Sequence, residues 1–481
     1  MPPTIALASD TPIACYVHVP ALLALPLLLA SCVSLHKISS SNIAGPASGT
    51  VSNADRKLDT ASLAQWWSRL NDPALNELIG TAFERSPDVR TALSRIDEAR
   101  ARRGLERAGL FPTLDANGSA QWQASGNGDS SPITTSDGGE SYRVSVDASW
   151  QVDLFGKQKQ TLIAASADLA QVQEDYQGAV VSLAAEVSQT YVTLRRAQAE
   201  LTLKENTLET RGETLKITRW KEEAGVSTGL DTLQVESTLE QERAAIPFLK
   251  QTISQTQNEL ALLCGLTPGA LNSRLNSGSS IPVAPPRLAI GIPAEMLQQR
   301  PDVRAALRGV EAAAARTKAA ELERLPSLNL SGSIGSDALK AGKLFSPETV
   351  AASLLGGLTA PIFDAGRIRQ NIAIQDAQTR QALIRYESTV LTSLSEVENA
   401  LVAILRTAER LEVLDRAIHA ARQAAQLAMQ QYQAGQVDLL QVLESQRTLF
   451  SVQEQKVSTT ADQTNAHIQL YKALGGGWSN N

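Results

Sequence analysis

In the stretch ESYRVSVDASWQVDLFG, residues 140–156, Tyr142, Val144, Val146, Ala148, Trp150 and Val152 alternate with Arg143, Ser145, Asp147, Ser149, Gln151 and Asp153. Successive side chains of a strand point to opposite sides, so this pattern predicts a strand with one apolar and one polar face. A similar segment precedes it over 113–124, where Leu114, Ala116, Gly118, Ala120, Trp122 and Ala124 alternate with polar residues. The polar, turn-rich SGNGDSSPITTSDGG between the two predicts a hairpin with a long outer loop. A fainter hairpin begins at 327–336, where Leu328, Leu330, Gly332 and Ile334 alternate with Asn329, Ser331, Ser333 and Gly335. Its second half, roughly 349–362, has a mixed pattern that would not predict a strand alone.

Elsewhere the apolar spacing is helical. No Pro occurs from Lys157 to Ala224, room for a helix of about 100 Å at about 1.5 Å per residue. Leu169, Val172, Tyr176, Val180, Leu183, Val187, Tyr191, Leu194 and Leu201 recur along it at mostly three- and four-residue steps, marking one face. After Pro361 no further Pro occurs, and Tyr386, Val390, Val397, Leu401, Ile404, Leu411 and Leu414 form a second such stripe. Gly225 and Gly435 predict turns into returning helices, the first of which Pro247 should bend or leave one hydrogen bond short.

These elements occur twice. SPDVRTAL (86–93) returns as RPDVRAAL (300–307) at an offset of 214, and Pro112-Thr113-Leu114 returns as Pro326-Ser327-Leu328. Beyond the hairpins the offset becomes 210, carrying Gly156 onto Gly366, Tyr176 onto Tyr386, Gly225 onto Gly435 and Gly265 onto Gly475. Each unit opens with Ser86 or Arg300 at an N-cap position, Pro at the first helical position and an Asp in the first turn. A helix of about 25 residues then ends at LFPTL or RLPSL.

Segments of about ten residues with a wet and an apolar side match strands of an outer-membrane barrel, and Trp122 and Trp150 lie near strand ends. A soluble sandwich with one buried face is the competing reading. Helices of about 100 Å exceed a compact domain and favour the barrel. Four strands cannot close, and an open edge in lipid leaves backbone groups unsatisfied at several kcal/mol each. The chain must therefore pool strands with its own copies. A dimer gives an interior filled by side chains, a trimer an aqueous channel, and the polar faces favour the trimer.

The charge balance, 44 Lys+Arg against 50 Asp+Glu, carries no basic excess and argues against nucleic acid as a partner. No HExxH, GxSxG or P-loop is present, and the four His are scattered, so neither an enzyme nor a metal or cofactor site is expected. A poreless periplasmic coiled coil would share the helices but gives no reason for two-faced strands. At the N-terminus, ALLALPLLLASC (21–32) is too short to span a bilayer and ends in small residues before Cys32. Leu29-Ala30-Ser31-Cys32 resembles a bacterial lipobox, implying cleavage before Cys32 and lipid on it, although residues 1–20 carry no Lys or Arg. Of the remaining cysteines only Cys264 would stay in the mature chain, without a disulfide partner.

WWSRLNDPALNELIGTAF (66–83), WQVDLFGK (150–157), GIPAEMLQQRPDVRAAL (291–307), PIFDAGRIR (361–369) and YQAGQVDLLQVLESQRTLF (432–450) together resemble outer-membrane factors of the TolC/OprM-like family, in its lipoprotein (NodT-type) branch. The resemblance implies a mainly α homotrimer in which a 12-stranded β-barrel in the outer membrane continues into a 12-helix periplasmic α-barrel. Each chain would contribute two tandem repeats. Such a duct passes small molecules delivered by a periplasmic adaptor and an inner-membrane pump, taken as proton-driven. A type I protein secretion channel is the alternative.

On this reading residues 1–31 are a lipoprotein signal, 32–85 a lipidated and equatorial segment, and 86–265 the first repeat. Residues 266–299 are an equatorial linker, 300–475 the second repeat and 476–481 a tail. Trp122, Tyr142, Val144, Val146 and Trp150 would face outer-membrane lipid. Gly225, Val226, Leu230, Gly435, Val437 and Leu439 would form adaptor-binding tips, although glycines there also suit ordinary helix C-caps. Leu440 and Glu444 would ring the closed periplasmic entrance, where the family often has Asp in place of Glu444. Tyr432 would donate a hydrogen bond to Asp231 and latch it. The only non-protein group expected is the lipid on Cys32.

Overall fold

The computed structural model describes residues 64–122, 139–276, 280–284 and 298–477. The signal, Cys32, most of the first hairpin's outer loop and the centre of the linker lie outside them.

A 3-10 turn, Trp66–Leu70, leads into α1, Pro73–Arg85. Asp72 caps α1, its carboxylate accepting from the Ala74 and Leu75 N–H groups at 2.9 and 3.2 Å, and Pro73 follows where no N–H is needed. The order helix, two strands, long helix, returning helix then runs twice. The first pass is α2 (Pro87–Ala108), β1 (Thr113–Trp122), β2 (Glu140–Val152), α3 (Lys157–Glu223) and α4 (Gly229–Leu263). The second is α5 (Pro301–Leu322), β3 (Ser327–Ala338), β4 (Val350–Thr359), α6 (Arg367–Gln433) and α7 (Leu439–Ala473). Both long helices have 67 residues, about 100 Å, and both returning helices have 35. α4 runs unbroken through Pro247, so the cost of that residue is the missing donor to the Arg243 carbonyl.

The two initial helices have 22 residues, slightly under the length expected. Neither Ser86 nor Arg300 caps with its side chain. Ser86 also ends α1, its backbone N–H donating to the Ala82 carbonyl. Arg300 is buried and spends its guanidinium on Asp302, Glu396 and the Ala473 carbonyl, tying the start of the second repeat to the end of α7.

The main core sits midway along α3 and gathers α1, the end of α4 and the end of α7 around it. Trp66 stacks on Tyr471 with ring centroids 5.2 Å apart. The buried Tyr191 hydroxyl donates to Asp72 at 2.7 Å, so one carboxylate both caps α1 and pins it to α3. Cys264 packs here with its thiol 3.5 Å from the Leu78 carbonyl, and burial pushes its pKa to about 11, as befits an apolar filler. From the linker, Ile281 and Ala284 are buried, and the Pro282 carbonyl accepts from Thr464 at 2.6 Å.

Further along the helices, Lys204 on α3 bridges Glu242 of α4, at 2.9 Å, and Glu454 of α7. Burial disfavours its charge, but hydrogen bonds and charges of Glu454 and Glu242 raise its pKa above the ordinary lysine value.

Candidate functional site

Among the described residues the strands form one antiparallel sheet in the order β1-β2-β3-β4. Its register sets Ala116 opposite Val146, Val146 opposite Ile334 and Ile334 opposite Ala352. Because pairing keeps opposed residues on one face, Trp122, Tyr142, Val144, Val146 and Trp150 share a side with Leu328, Leu330, Ile334, Leu354 and Leu358. Much of this face is bare, with Trp122 72% exposed and Leu354 84%, while Tyr142, Leu328 and Leu330 are partly covered. On the other face Asp147 accepts from Asn117 at 2.7 Å and Ser145 at 3.0 Å, and Arg143 lies 3.8 Å from Asp337. The outer edges of β1 and β4 have no strand partner among the described residues.

The aromatic positions give the apolar face a height. Trp122 pairs with Glu140, ten residues along β2 from Trp150, a run of about 33 Å. At a barrel tilt of about 40° this becomes about 25 Å, the height of the apolar band that aromatic girdles bracket in outer-membrane barrels. Trp150 turns its Nε1–H to the Leu110 carbonyl at 3.0 Å, fixing the lower end of the band to the junction with α2.

About 100 Å away along α3 and α6 lie the two helical turns. Gly225 and Gly435 take φ of 72° and 74°, the left-handed conformation that ends a helix without strain only at glycine or nearly so. At the first turn Thr228 and Asp231 form a reciprocal capping box, and the Ser227 hydroxyl adds a 2.8 Å bond to the same carboxylate. The Thr228 backbone N–H first, then Ser227, hold the Asp231 carboxyl below its usual range. Val226 and Leu230 are 71% and 64% exposed.

The second turn is built differently. Leu439 is only 3% exposed and packs with Val442, Tyr432, Ala428, Leu215, Val235 and Leu239, while Val437 is half-buried against that cluster. Val437 and Leu439 were expected on the docking surface, and the structure turns both inward because the first turn of α7 closes over α3 and α4. Leu440 and Glu444 are exposed, as a lining position requires.

The expected Tyr432–Asp231 hydrogen bond is not made within the chain. Tyr432 is buried and its hydroxyl lies 3.4 Å from Thr218 Oγ1, while Asp231 is committed to its own cap. Tyr432 instead meets Lys221, whose Nζ sits 3.9 Å from the ring centroid and donates to the Tyr432 carbonyl. Local pattern carries no signal for this cation–π contact, since 211 residues separate the pair.

The family model for outer membrane efflux proteins matches the chain twice, over residues 78–266 and 292–476. The pyoverdine export outer membrane protein OpmQ of Pseudomonas putida is 30% identical over 456 residues, 93% of this chain and 96% of that protein. The solvent efflux pump outer membrane protein SrpC of Pseudomonas putida is 32% identical, covering 85% and 86%. Among solved structures, the outer-membrane channel OprN superposes with a TM-score of 0.80 at 31% identity, over 90% of this chain and 99% of that one. With a sheet bare on its apolar face and two helical hairpins of matched length, the chain belongs to the outer membrane efflux protein family.

Proposed function

We propose that three copies of this chain close one water-filled exit duct, a 12-stranded barrel in the outer membrane standing on a 12-helix tube in the periplasm. The observation that carries the trimer is the sheet itself: an apolar face of about 25 Å is exposed while, among the described residues, both outer edges lack partners. Adding β1 of one copy to β4 of the next satisfies the edges and keeps the polar face inside. The helices support the same closure. Ile384, Leu391, Val402 and Leu405 are exposed along α6 and form an apolar stripe on its open side. A neighbouring copy's helices would cover that stripe.

In this reading lipid on Cys32 anchors each copy, and Trp122, Tyr142, Val144, Val146 and Trp150 face membrane lipid. A periplasmic adaptor docks at the turns and couples the duct to an inner-membrane, proton-driven pump. Leu440 and Glu444 of three copies narrow the entrance, where carboxylates around one axis favour cations. The duct conducts passively, without catalysis. The relatives' roles in pyoverdine export and solvent efflux support small molecules as cargo.

Two measurements test this. Purified protein in a planar bilayer should conduct, and a deletion strain should become sensitive to toxic small molecules while secreting proteins normally. A secretion defect without drug sensitivity would replace the cargo with protein. Intact helical trimers that never conduct would leave a poreless structural protein instead.

A further inference from the structure

Each chain contains one seam between its two repeats, and the repeat carries that seam forward to a second copy. The two hairpins superpose residue for residue: Thr113 faces Ser149 in the first, and their equivalents Ser327 and Thr359 face each other in the second. An offset of 214 therefore takes β1 onto β3, and 210 takes β2 onto β4. The inner seam joins β2 to β3, with Val144 opposite Ser336, Ala148 opposite Gly332 and Asp147 opposite Ser333. Moved on by one repeat, the same register sets Leu354 of β4 opposite Trp122 of another copy's β1, Leu358 opposite Gly118 and Gly357 opposite Ser119. The faces agree, since Leu354, Leu358, Trp122 and Gly118 all lie on the apolar side, whereas a shift by one residue would mix the two sides.

Beneath the sheet the inner seam is α5 lying on α3. Arg304 pairs with the buried Glu174 at 2.6 Å, Arg316 pairs with Asp168, and Pro301 lies against Gly178. The equivalent faces of α2 and α6 have no such cover within the chain. Pro301, Ala305 and Ala312 are buried on α5, while their equivalents on α2, Pro87, Thr91 and Glu98, are exposed. On α6, Ile384 and Leu391 are 62% and 63% exposed, against 6% and 5% for their equivalents on α3, Glu174 and Val181. The bare face of α2 and the bare stripe of α6 are thus the two halves of the inner seam, left open at opposite ends of the repeat.

We propose that each copy seats the next by repeating this inner seam: β4 pairs with the next copy's β1 in the register above, and the next copy's α2 lies along α6 with Arg90 over Ile384. The assignment rests on the trimer reading and names the surfaces by which its copies meet. It also separates the two kinds of seam. The acids that form ion pairs inside a chain, Glu174 and Asp168, are replaced at the equivalent positions by Ile384 and Gln378. Arg90 and Arg102 keep the places of Arg304 and Arg316. Copies therefore meet through apolar and neutral side chains of α6 where the repeats of one chain are joined by ion pairs.

The test is disulfide cross-linking of the full-length, acylated protein in its membranes, read on non-reducing gels after oxidation. Ser119→Cys with Gly357→Cys should give covalent two- and three-chain species, because directly opposed strand residues lie about 5 Å apart and a disulfide needs Cα atoms within about 7 Å. Ser119→Cys with Leu355→Cys or with Thr359→Cys, two residues out of register, should link at least about fivefold more slowly. Arg90→Cys with Ile384→Cys should likewise link separate chains. A charge exchange keeps the test open if the cysteines disturb assembly. Ile384→Glu should keep the trimer by pairing with Arg90, as Glu174 pairs with Arg304, while Ile384→Glu with Arg90→Glu should lower its dissociation temperature by several degrees. Faster linking at 355 or 359 than at 357, or equal dissociation of the single and double charge variants, would overturn the seam. Native mass of the same samples separates the two levels: three chains without the 119–357 link lose only the seam, and a lone chain loses the trimer.

Discussion

The two periplasmic turns follow the same backbone path by different physics. Both follow a 67-residue helix, turn on a glycine of positive φ and begin a 35-residue return. The first is held by polar groups of its own turn: Thr228, Asp231 and Ser227 satisfy one another, and Val226, Leu230 and Leu233 are left bare. The second lacks a side-chain cap at Asp438 and is held by burying Leu439 among residues of all four long and returning helices. A locally stitched turn can hold its shape while offering apolar surface to a partner. A turn held by its core has spent that surface inward. The repeat thus keeps a shape and divides the labour, with the first turn suited to docking and the second to tying the hairpins together.

The largest effect should come from Leu439→Ala. Emptying a buried leucine site costs about 2–5 kcal/mol, and hydrogen exchange should show that loss in the second turn and the adjoining ends of α3 and α4. Equal deprotection confined to α7 would mean the hairpins are not coupled there. Next, Val226→Ser with Leu230→Ser should return a complemented deletion strain to near-deletion drug sensitivity at normal protein level, a loss of about tenfold or more in docking affinity. Gln436→Ser, at the position equivalent to Val226, should keep full resistance.

Asp231→Ala should cost the first turn about 1 kcal/mol, read as faster exchange over 226–232, with the second turn unaffected. The pH dependence has a fixed sign. Because the folded carboxyl titrates below its unfolded value near 3.9, its stabilisation is present above that value and is lost as pH falls through the folded one. Protection of the first turn should therefore drop below about pH 4, and Asp231→Asn should flatten that drop. The smallest effect belongs to Tyr432→Phe, which removes one long hydrogen bond and keeps the ring under Lys221. We expect less than about 1 kcal/mol and an unchanged closed-state conductance. A marked opening would restore a latch role for the hydroxyl.

Periodicity carried most of the fold because the elements are long. The prolines and glycines at 112, 156, 225, 326, 366 and 435 bound them in the chain as they do in the structure. β4 was faint for a local reason: Leu354-Leu355 and Gly356-Gly357 break alternation, and only pairing with β3 shows Leu354 and Leu358 on the apolar side. α1 was overlooked although Asp72-Pro73 is a cap followed by a first-turn proline. At the turns, spacing located the residues but could not tell outward from inward. Leu439 and Leu440 are neighbours in sequence, and which one is buried depends on Leu215, Val235 and Tyr432 from three other helices. The Lys221–Tyr432 contact was hidden for the same reason, since it joins residues 211 apart.

Native mass spectrometry of the detergent-extracted, full-length protein asks most directly whether the bare sheet belongs to a shared barrel. The account predicts a single assembly of three chains that survives until the detergent is stripped. A stable lone chain, folded and soluble once detergent is removed, would contradict it.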